Sequence, residues 1–560
     1  MSKYLRFIVV CACALVLPFA FSGTGSASSA LSHHPAFSSG LELLQELSEG
    51  GDLAINGNGA GGGQVDNTTC TQTAAPSGAS DLSCDDNFSP EDETPIVVDP
   101  ADPNHLLAGS NDYHLTFKGG GLVARVPTGF FVSFDGGTHW IDGQIPEGSG
   151  GGGGNGDPSP AFDRKFGTAH MAQLSAGCGI FCGHISVSVS TSTDGGRTWG
   201  NAVTVAQGQG SLTPSANAVF QDKEWLTADN NPSSPFYGRL YLTWTQFTFS
   251  GFNYLESPIF MSTSDDAGKT WTTPKEISGS NPAICTFQSS GPANQCDENQ
   301  FSVPVVLPNG NVVVHFFNDQ NQSLWDSPFE FDDQILVVRS TDGGAHFSAP
   351  IFVTGMEDGA RDYPFNVDGR QTQTGHQFRT QTVQGMTADP ITGDLYIFFA
   401  DNRDGTHDSA NPITQTNILL SKSTDGGRTW TGPVHVTTGN GDRWMPWAGA
   451  RGGTVKIMYM DGSVDRNRDL YGIKLATSTN GGATFSTQAV GGLSDPDHSL
   501  WFRAHAPDCD ECATFIGDYN GLAIDSLGRT HIVWTDLSRS MTLTQLNRTG
   551  APSEPFYARR

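Results

Sequence analysis

The stretch Ser423-Thr424-Asp425-Gly426-Gly427-Arg428-Thr429-Trp430 decides the fold, because variants of it recur along the whole 560-residue chain. The shared pattern is Ser-x-Asp/Asn-x-Gly-x-x-Trp/Phe. It occurs six times, at residues 133–140, 192–199, 264–271, 340–347, 423–430 and 478–485, and the last copy has Asn480 in place of Asp. A motif that returns at such intervals indicates a repeat architecture rather than a set of unrelated domains.

Each copy of this motif has the chemistry of a hairpin turn. Its glycines accept positive φ, and the Asp side chain bonds backbone N–H groups two or three residues further on. A run of β-forming residues precedes the turn, as in 185–190, and a large aromatic residue closes it. We therefore predict that every copy joins two antiparallel strands and is anchored by its aromatic side chain.

The chain between the copies predicts an all-β fold in which four-stranded units repeat. From Thr94 onward, apolar β runs alternate with turn residues, and helix-period patterns are scarce. A unit without the motif follows the sixth copy: residues 515–524 and 531–534 repeat the first two strands, and 541–546 is a candidate third. We predict a β-propeller of four-stranded antiparallel blades, with seven blades favoured over six and the N-terminal arm supplying the missing outer strand.

The repeated motif resembles the Asp-box of sialidase-like β-propellers, and the resemblance covers roughly residues 94–545. It implies that the turns lie on the outer rim of the blades. It also implies that a ligand binds on the central axis, where the loops that lead into the inner strands meet those that join the second strand to the third.

Composition and charge limit the cellular compartments and the classes of partner that fit this chain. The chain has 58 acidic and 30 basic residues, a formal charge of −28, which argues against a nucleic-acid or anionic-membrane partner. Lys3 and Arg6 precede an apolar run over 7–21, the pattern of a signal peptide. We predict a signal peptide over 1–30, a low-complexity linker or arm over 31–93, the propeller over 94–550 and a C-terminal tail over 551–560. The protein is expected to be secreted, with no membrane span after signal removal.

The cysteines agree with secretion. Eight remain after the signal, and an even number in a secreted chain indicates disulfides, although the sequence does not prove their connectivity. They fall into the local pairs Cys70/Cys84, Cys178/Cys182, Cys285/Cys296 and Cys509/Cys512.

The resemblance to sialidases implies three kinds of site residue on the axial loops. An arginine triad grips the substrate carboxylate, because guanidinium pairs a carboxylate through two hydrogen bonds. A tyrosine activated by a glutamate attacks the anomeric carbon, and an aspartate is the general acid/base. Matched by position, the candidates are Tyr519 as nucleophile, Glu224 as its partner, Asp112 or Asp157 as the acid, and Arg379, Arg403 and Arg443 as the triad.

These residues predict a glycoside hydrolase resembling exo-α-sialidase, which would release terminal sialic acid from glycoconjugates. The alternative is a non-catalytic propeller that binds glycan or protein at its axial face. Either function predicts a carbohydrate or glycoprotein ligand. No cofactor is predicted; the alternative is calcium at Asp461, Asp465 and Asp469, where the EF-hand pattern is absent.

Overall fold

The computed structural model describes residues 70–73, 78–84, 88–118, 121–146, 156–176, 185–210, 217–251, 253–286, 294–318, 333–359, 361–364, 371–380, 385–408, 410–465, 467, 469–500, 515–544 and 547–560. The strands of this part of the chain form seven antiparallel sheets and two separate hairpins. Six of the sheets have four main strands that run outward in sequence order, and the seventh takes its outermost strand from the N-terminal arm, so the sheets are the blades of a propeller.

The strands of the first four blades are given from the inside outward. Blade 1 has Ile96–Val98, Leu106–Asp112, Thr128–Ser133 and His139–Gln144, with Glu91–Asp92 beside its second strand. Blade 2 has Ser159–Asp163, Thr168–Ala176, Ile185–Ser192 and Val203–Ala206. Blade 3 has Asn217–Ala228, Leu240–Ser250, Ile259–Ser264 and Lys275–Glu276, with Asn253–Glu256 beside its second strand. Blade 4 has Asn299–Val306, Val312–Asn318, Gln334–Ser340 and Ile351–Gly355.

The remaining three blades follow the same order. Blade 5 has Gly385–Ala388, Leu395–Asp401, Asn417–Ser423 and Val434–His435. Blade 6 has Arg443–Arg451, Thr454–Asp461, Tyr471–Ser478 and Ser486–Ser494. Blade 7 has Gly521–Ile524, Thr530–Asp536, Glu554–Arg559 and Ser80–Asp81. Two hairpins, His114–Lys118 with Gly121–Arg125 and Met541–Leu543 with Arg548–Gly550, stand apart from the blades, and Gly462–Val464 is a short 3-10 helix.

The blades close into a ring, which confirms seven blades rather than six. Each inner strand contacts the inner strand of the next blade, and that of blade 7 contacts that of blade 1. Apolar side chains fill the spaces between blades, as where Val314 and Phe316 of blade 4 pack with Tyr241 and Ile259 of blade 3. In the described part of the chain, no helix is long and apolar enough for a membrane crossing.

Residues from both ends of the chain complete the last blade. Ser80–Asp81 pairs with the strand Glu554–Arg559, so the prediction that the N-terminal arm supplies an outer strand is confirmed. The same arm adds Cys70–Thr73 to the outside of blade 1 and therefore ties the first blade to the last. The third strand of blade 7 was predicted wrongly at 541–546. It lies at Glu554–Arg559, within the stretch predicted as a tail, because Met541–Leu543 pairs with a short strand of its own.

The six repeated turns share one hydrogen-bond pattern. In each copy the Ser hydroxyl donates to the Asp or Asn side chain and accepts the N–H of the second glycine position. In the copy at Asp425, the carboxylate accepts the N–H groups of Arg428 and Thr429, three and four residues on rather than two or three. The turn is therefore stabilised by bonds within eight residues and needs little from the rest of the chain.

These turns also connect neighbouring blades, which the sequence did not reveal. The imidazole of His105 in blade 1 bonds the carbonyl of Gly195 in blade 2 at 2.7 Å. The guanidinium of Arg239 in blade 3 donates to the carbonyl of Gly343 in blade 4 at 2.9 Å. At the ring closure, Arg559 of blade 7 donates to Gly136 in blade 1 at 2.8 Å. The motif thus fixes the spacing of the blades as well as the shape of each turn.

Candidate functional site

The start of the inner strands has an unusual backbone. Three inner strands carry a bulge at the same place, where two residues lie opposite one on the second strand. The first bulge residue has positive φ in each: 49° at Lys223, 55° at Phe301 and 47° at Met445. Glu93 and Asp157 adopt the same left-handed conformation, with φ of 55° and 53°. Residues other than glycine rarely do so, and such strain concentrates at functional sites.

Tyr519, the predicted nucleophile, lies where these backbone positions meet. It is buried, and its hydroxyl donates to the carbonyl of Pro158 at 3.2 Å. The ammonium of Lys223 lies 3.5 Å from the centre of its ring. Burial, and then the charges of Glu93, Asp157 and Glu224, raise the pKa of Tyr519 well above its usual value. The structure therefore brings three of the predicted catalytic residues, Tyr519, Glu224 and Asp157, into one group, here called the axial cluster together with Glu93, Lys223, Arg379 and Asp518.

Glu224 has the most unusual environment in the axial cluster. Its side chain has no exposed surface, and neither carboxyl oxygen makes a hydrogen bond of ordinary geometry to another described residue. Burial, and then the charge of Asp157, raise the pKa of Glu224 well above its usual value. Burial of this kind favours the protonated, uncharged form of the carboxyl.

Glu93 and Lys223 complete the cluster, and the sequence analysis did not assign them a role. Glu93 accepts the backbone N–H of Asp518 at 3.2 Å, and burial, followed by the charges of Asp157 and Asp518, raises its pKa well above the usual value. Lys223 is buried, and its ammonium contacts aromatic rings without a hydrogen-bond acceptor among the described residues. The signals that could have identified them are the position of Glu93 just before the inner strand of blade 1 and that of Lys223 next to Glu224 within the inner strand of blade 3.

Arg379 belongs to the axial cluster through an ion pair. Its Nη2 donates to both oxygens of Asp518, at 2.7 and 2.5 Å, and both side chains are almost fully buried. Its guanidinium carbon also lies 5.2 Å from the ring centre of Phe515. The one predicted triad member in the cluster is therefore already paired with a carboxylate of the protein.

The other two predicted triad arginines are held elsewhere. Arg403 forms a two-point ion pair with Asp401, through Nε at 2.7 Å and Nη2 at 2.8 Å, and donates to the carbonyl of Gly355. Arg443 donates to three consecutive backbone carbonyls and lies 3.4 Å from Asp461. The three guanidiniums thus have three different carboxylate partners within the protein.

Asp112 and the alternative calcium residues also have protein partners. Asp112 accepts from Gln144 at 2.6 Å and lies beside His114 at the end of a blade 1 strand. Asp461 pairs with Lys474 at 2.6 Å, and Asp465 accepts the N–H of Asp469. The ammonium of Lys474 thus already neutralises Asp461, and among the described residues the three aspartates do not form a group of close metal ligands.

One predicted disulfide is confirmed. Cys285 and Cys296 are bonded, with Cα atoms 5.4 Å apart. Cys84 is also disulfide-bonded. The side chains of Cys70, Cys178, Cys182, Cys509 and Cys512 lie outside the described residues.

Comparisons with known proteins support no closer assignment than the architecture. No protein family matches the sequence, and no curated protein does either. The solved structures with a similar fold include the Hadza microbial sialidase Hz136, at 13% identity over 91% of this chain and 98% of that chain, with a TM-score of 0.41. They also include an α-L-arabinanase of Penicillium chrysogenum complexed with arabinobiose, at 13% identity over 87% and 98%, with a TM-score of 0.43.

A third similar structure is the NanB sialidase of Streptococcus pneumoniae, at 8% identity over 87% of this chain and 98% of that one, with a TM-score of 0.41. Likeness at this level transfers no residue role. From its own blades, repeated turns and ring closure, the chain is a seven-bladed β-propeller with a buried axial cluster of acidic residues.

Proposed function

We propose that the protein is an extracellular glycoside hydrolase whose reacting groups are Tyr519, Glu224 and Asp157. The observation that carries the proposal is Glu224, a buried carboxyl without a hydrogen bond to another described residue and with a raised pKa, beside a tyrosine. Glycoside hydrolysis depends on carboxyl groups whose surroundings set their proton affinity. The disulfide Cys285–Cys296 supports the oxidising compartment that this location requires.

The three residues can divide the reaction as in a retaining hydrolase with a tyrosine nucleophile. The phenol of Tyr519 must lose its proton as its oxygen attacks the anomeric carbon. A carboxylate with a raised pKa is a stronger base, so Glu224 is suited to accept that proton. Asp157 would then protonate the leaving oxygen and afterwards take a proton from the water that releases the sugar.

The finer form of the proposal is exo-α-sialidase activity on terminal sialic acid. That substrate carries a carboxylate and needs cations in the site. Lys223 and Arg379 are the cations of the axial cluster, and Arg379 would bind the substrate in addition to its ion pair with Asp518, whereas Arg403 and Arg443 lie outside the cluster. We therefore expect Lys223 and Arg379 to bind the carboxylate of the substrate.

A second candidate function is binding of a glycan or protein at the axial face without turnover. The observation that favours it is burial: Tyr519, Glu224 and Asp157 are 1%, 0% and 0% exposed. A substrate reaches such groups only if surrounding chain moves, whereas a binding surface has no such requirement.

The test is release of 4-methylumbelliferone by the purified protein from a sialoside, an α-L-arabinofuranoside and a panel of neutral glycosides. We expect turnover of at least one substrate, and a fall in kcat/KM of about 10²–10⁴-fold in Tyr519→Phe and in Glu224→Gln. Tyr557→Phe is the matched control, because Tyr557 is also buried in blade 7 but packs against Trp140 near the rim. Absence of turnover by the wild type, or equal rates in Tyr519→Phe, would contradict the proposal.

A further inference from the structure

Away from the axial cluster, Glu357, Asp362 and His407 bring three possible metal ligands together between blades 4 and 5. One ligand atom from each, an imidazole nitrogen and two carboxylate oxygens, lies within 4.8 Å of the others. In the part of the chain that the structure describes, no other group of three His, Cys, Asp or Glu side chains comes this close. We propose that these three residues bind one divalent transition-metal ion, with Zn²⁺ as the best fit.

The backbone places these ligands before any ion arrives. Glu357 follows the outer strand of blade 4, and its N–H donates to Asp401 at the end of a blade 5 strand, at 2.9 Å. Its carbonyl accepts the N–H of Asn402 at 3.1 Å, which joins the two segments. The second oxygen of Asp362 accepts the N–H of Gly359 at 3.1 Å.

The His407 segment is fixed to the same two pieces of chain. Asn402 donates through its side-chain amide to the carbonyl of Asp362, and the N–H of Asp408 donates to the carbonyl of Arg361 at 2.9 Å. The ligand-bearing segments therefore hold one another through backbone groups, so binding would not have to order them.

The distances between the side chains suit shared ligation. His407 Nδ1 hydrogen-bonds Asp362 Oδ1 and lies 3.8 Å from Glu357 Oε2. The second separation is too long for a hydrogen bond. Two ligands at about 2.0–2.1 Å from a tetrahedral zinc ion lie roughly 3.3 Å apart, so a small side-chain adjustment brings all three to one ion. No hydrogen bond from a described residue reaches the carboxylate of Glu357, so that group is not committed to another partner.

Charge and exposure also favour a cation with open coordination positions. Two carboxylates face one imidazole, and the nearby Arg403 is held in a two-point pair by Asp401. Arg361 donates to the backbone carbonyl of His407. The side chain of Asp362 is 2% exposed, but those of Glu357 and His407 are each 32% exposed. Three protein ligands with a solvent-facing side is the arrangement in which water completes the coordination of zinc.

The donor types select the class of metal. Imidazole nitrogen suits zinc and its transition-metal neighbours, whereas calcium and magnesium prefer sites made of oxygen alone. The absence of a cysteine ligand from the group makes copper(I) and iron–sulfur chemistry poor matches. Zn²⁺ is therefore the probe of choice, and Co²⁺ is its spectroscopic substitute.

The test uses the purified full chain, treated with a chelator and then titrated with ZnCl₂ by isothermal calorimetry. We expect one binding event in the wild type that weakens about 10–100-fold or more in His407→Gln and in Glu357→Gln. His346→Gln is the matched control, because His346 also pairs with a nearby aspartate, Asp342, but is 85% exposed and outside any three-ligand group. It should bind zinc as the wild type does.

A second readout separates ligation from folding. Co²⁺ bound by this set should give visible d–d absorption that disappears in His407→Gln, while far-UV circular dichroism of the variant stays unchanged. Zinc affinity that is equal in the wild type, His407→Gln and Glu357→Gln would overturn the proposal. So would the absence of zinc binding by the wild type, which would leave the His407–Asp362 contact as an ordinary hydrogen bond.

Discussion

Arg379 and Asp518 form an ion pair buried on both sides, although 139 residues separate them in sequence. The guanidinium is 2% exposed and the carboxylate 1%. This pair places an arginine beside the axial tyrosine, yet it also occupies that arginine with a carboxylate of the protein. An arginine that is paired in this way has fewer hydrogen bonds left for the carboxylate of a substrate.

Breaking this pair should destabilise the fold strongly. Asp518→Asn leaves a buried guanidinium without its counter-charge, and we expect a loss of about 3–5 kcal/mol in the free energy of unfolding. Urea denaturation followed by tryptophan fluorescence measures it. The matched control is Asp265→Asn, since Asp265 also pairs with an arginine through two bonds but is 66% exposed, so its loss should stay below about 1 kcal/mol. Equal losses of unfolding free energy in the two variants would show that burial does not set the contribution of the Arg379–Asp518 pair to stability.

Replacing Glu224 by Gln should stabilise the protein at neutral pH. The pKa of Glu224 in the fold is raised above its usual 4.5, so the unfolded chain loses this proton first as pH rises. The folded state is thereby penalised progressively above pH 4.5, and the amide removes that penalty. The melting temperature of Glu224→Gln should match the wild type near pH 4.5 and exceed it by roughly 2 °C or more at pH 8.

The measurement near pH 4.5 is the internal control, because a carboxyl with a raised pKa is still protonated in the fold there and is therefore uncharged like the amide. A Glu224→Gln difference that is independent of pH, or that shrinks as pH rises, would contradict the assigned direction of the pKa shift.

The ring closure should be sensitive to one methyl group at Gly137. Gly137 and Gly528 both have a φ of 83°, so an alanine meets the same backbone strain at each. A Cβ at Gly137 would overlap the hydroxyl of Tyr557 in blade 7, whereas a Cβ at Gly528 meets nothing within 4 Å. We expect Gly137→Ala to lower the free energy of unfolding by about 1–3 kcal/mol more than Gly528→Ala. If the two variants lose the same free energy in thermal or urea unfolding, the Tyr557 side chain moves aside at no cost and the prediction is wrong.

The N-terminal arm should be needed to seal the propeller. A variant that starts at residue 88 lacks the outer strands Cys70–Thr73 and Ser80–Asp81 and exposes strand edges on blades 1 and 7. Exposed edges promote association, so we expect a lower melting temperature and oligomers in size-exclusion chromatography. A variant that starts at residue 70 keeps both strands and should resemble the full chain in both measurements.

The sequence predicted the blades well because the information for them is local. The eight residues around Asp425 contain the donors and acceptors that shape their turn, and Arg339 of the preceding blade adds a bond from outside. The third strand of blade 7 was missed because Glu554–Arg559 has no repeated turn before it, and its pairing is with strands far away in sequence.

The axial cluster was predicted only in part. The resemblance to sialidases suggested Tyr519, Glu224 and either Asp112 or Asp157, and the structure brings Tyr519, Glu224 and Asp157 together. The resemblance could not distinguish Arg379, buried beside Asp518, from Arg403, which pairs with its near neighbour Asp401. The sequence shows that a residue is an arginine, but it does not show which carboxylate the guanidinium will pair with.

By itself, the sequence determined where the repeated turns lie, and through its resemblance to known propellers it predicted the blades and the loops that face the axis. These features follow from hydrogen bonds and aromatic anchors within short segments. The tertiary structure alone decided that seven inner strands close the ring, that Lys223 lies against Tyr519, and that Glu357, Asp362 and His407 converge. The physical reason is that burial and electrostatic interaction depend on distances in space, and these join residues from different blades.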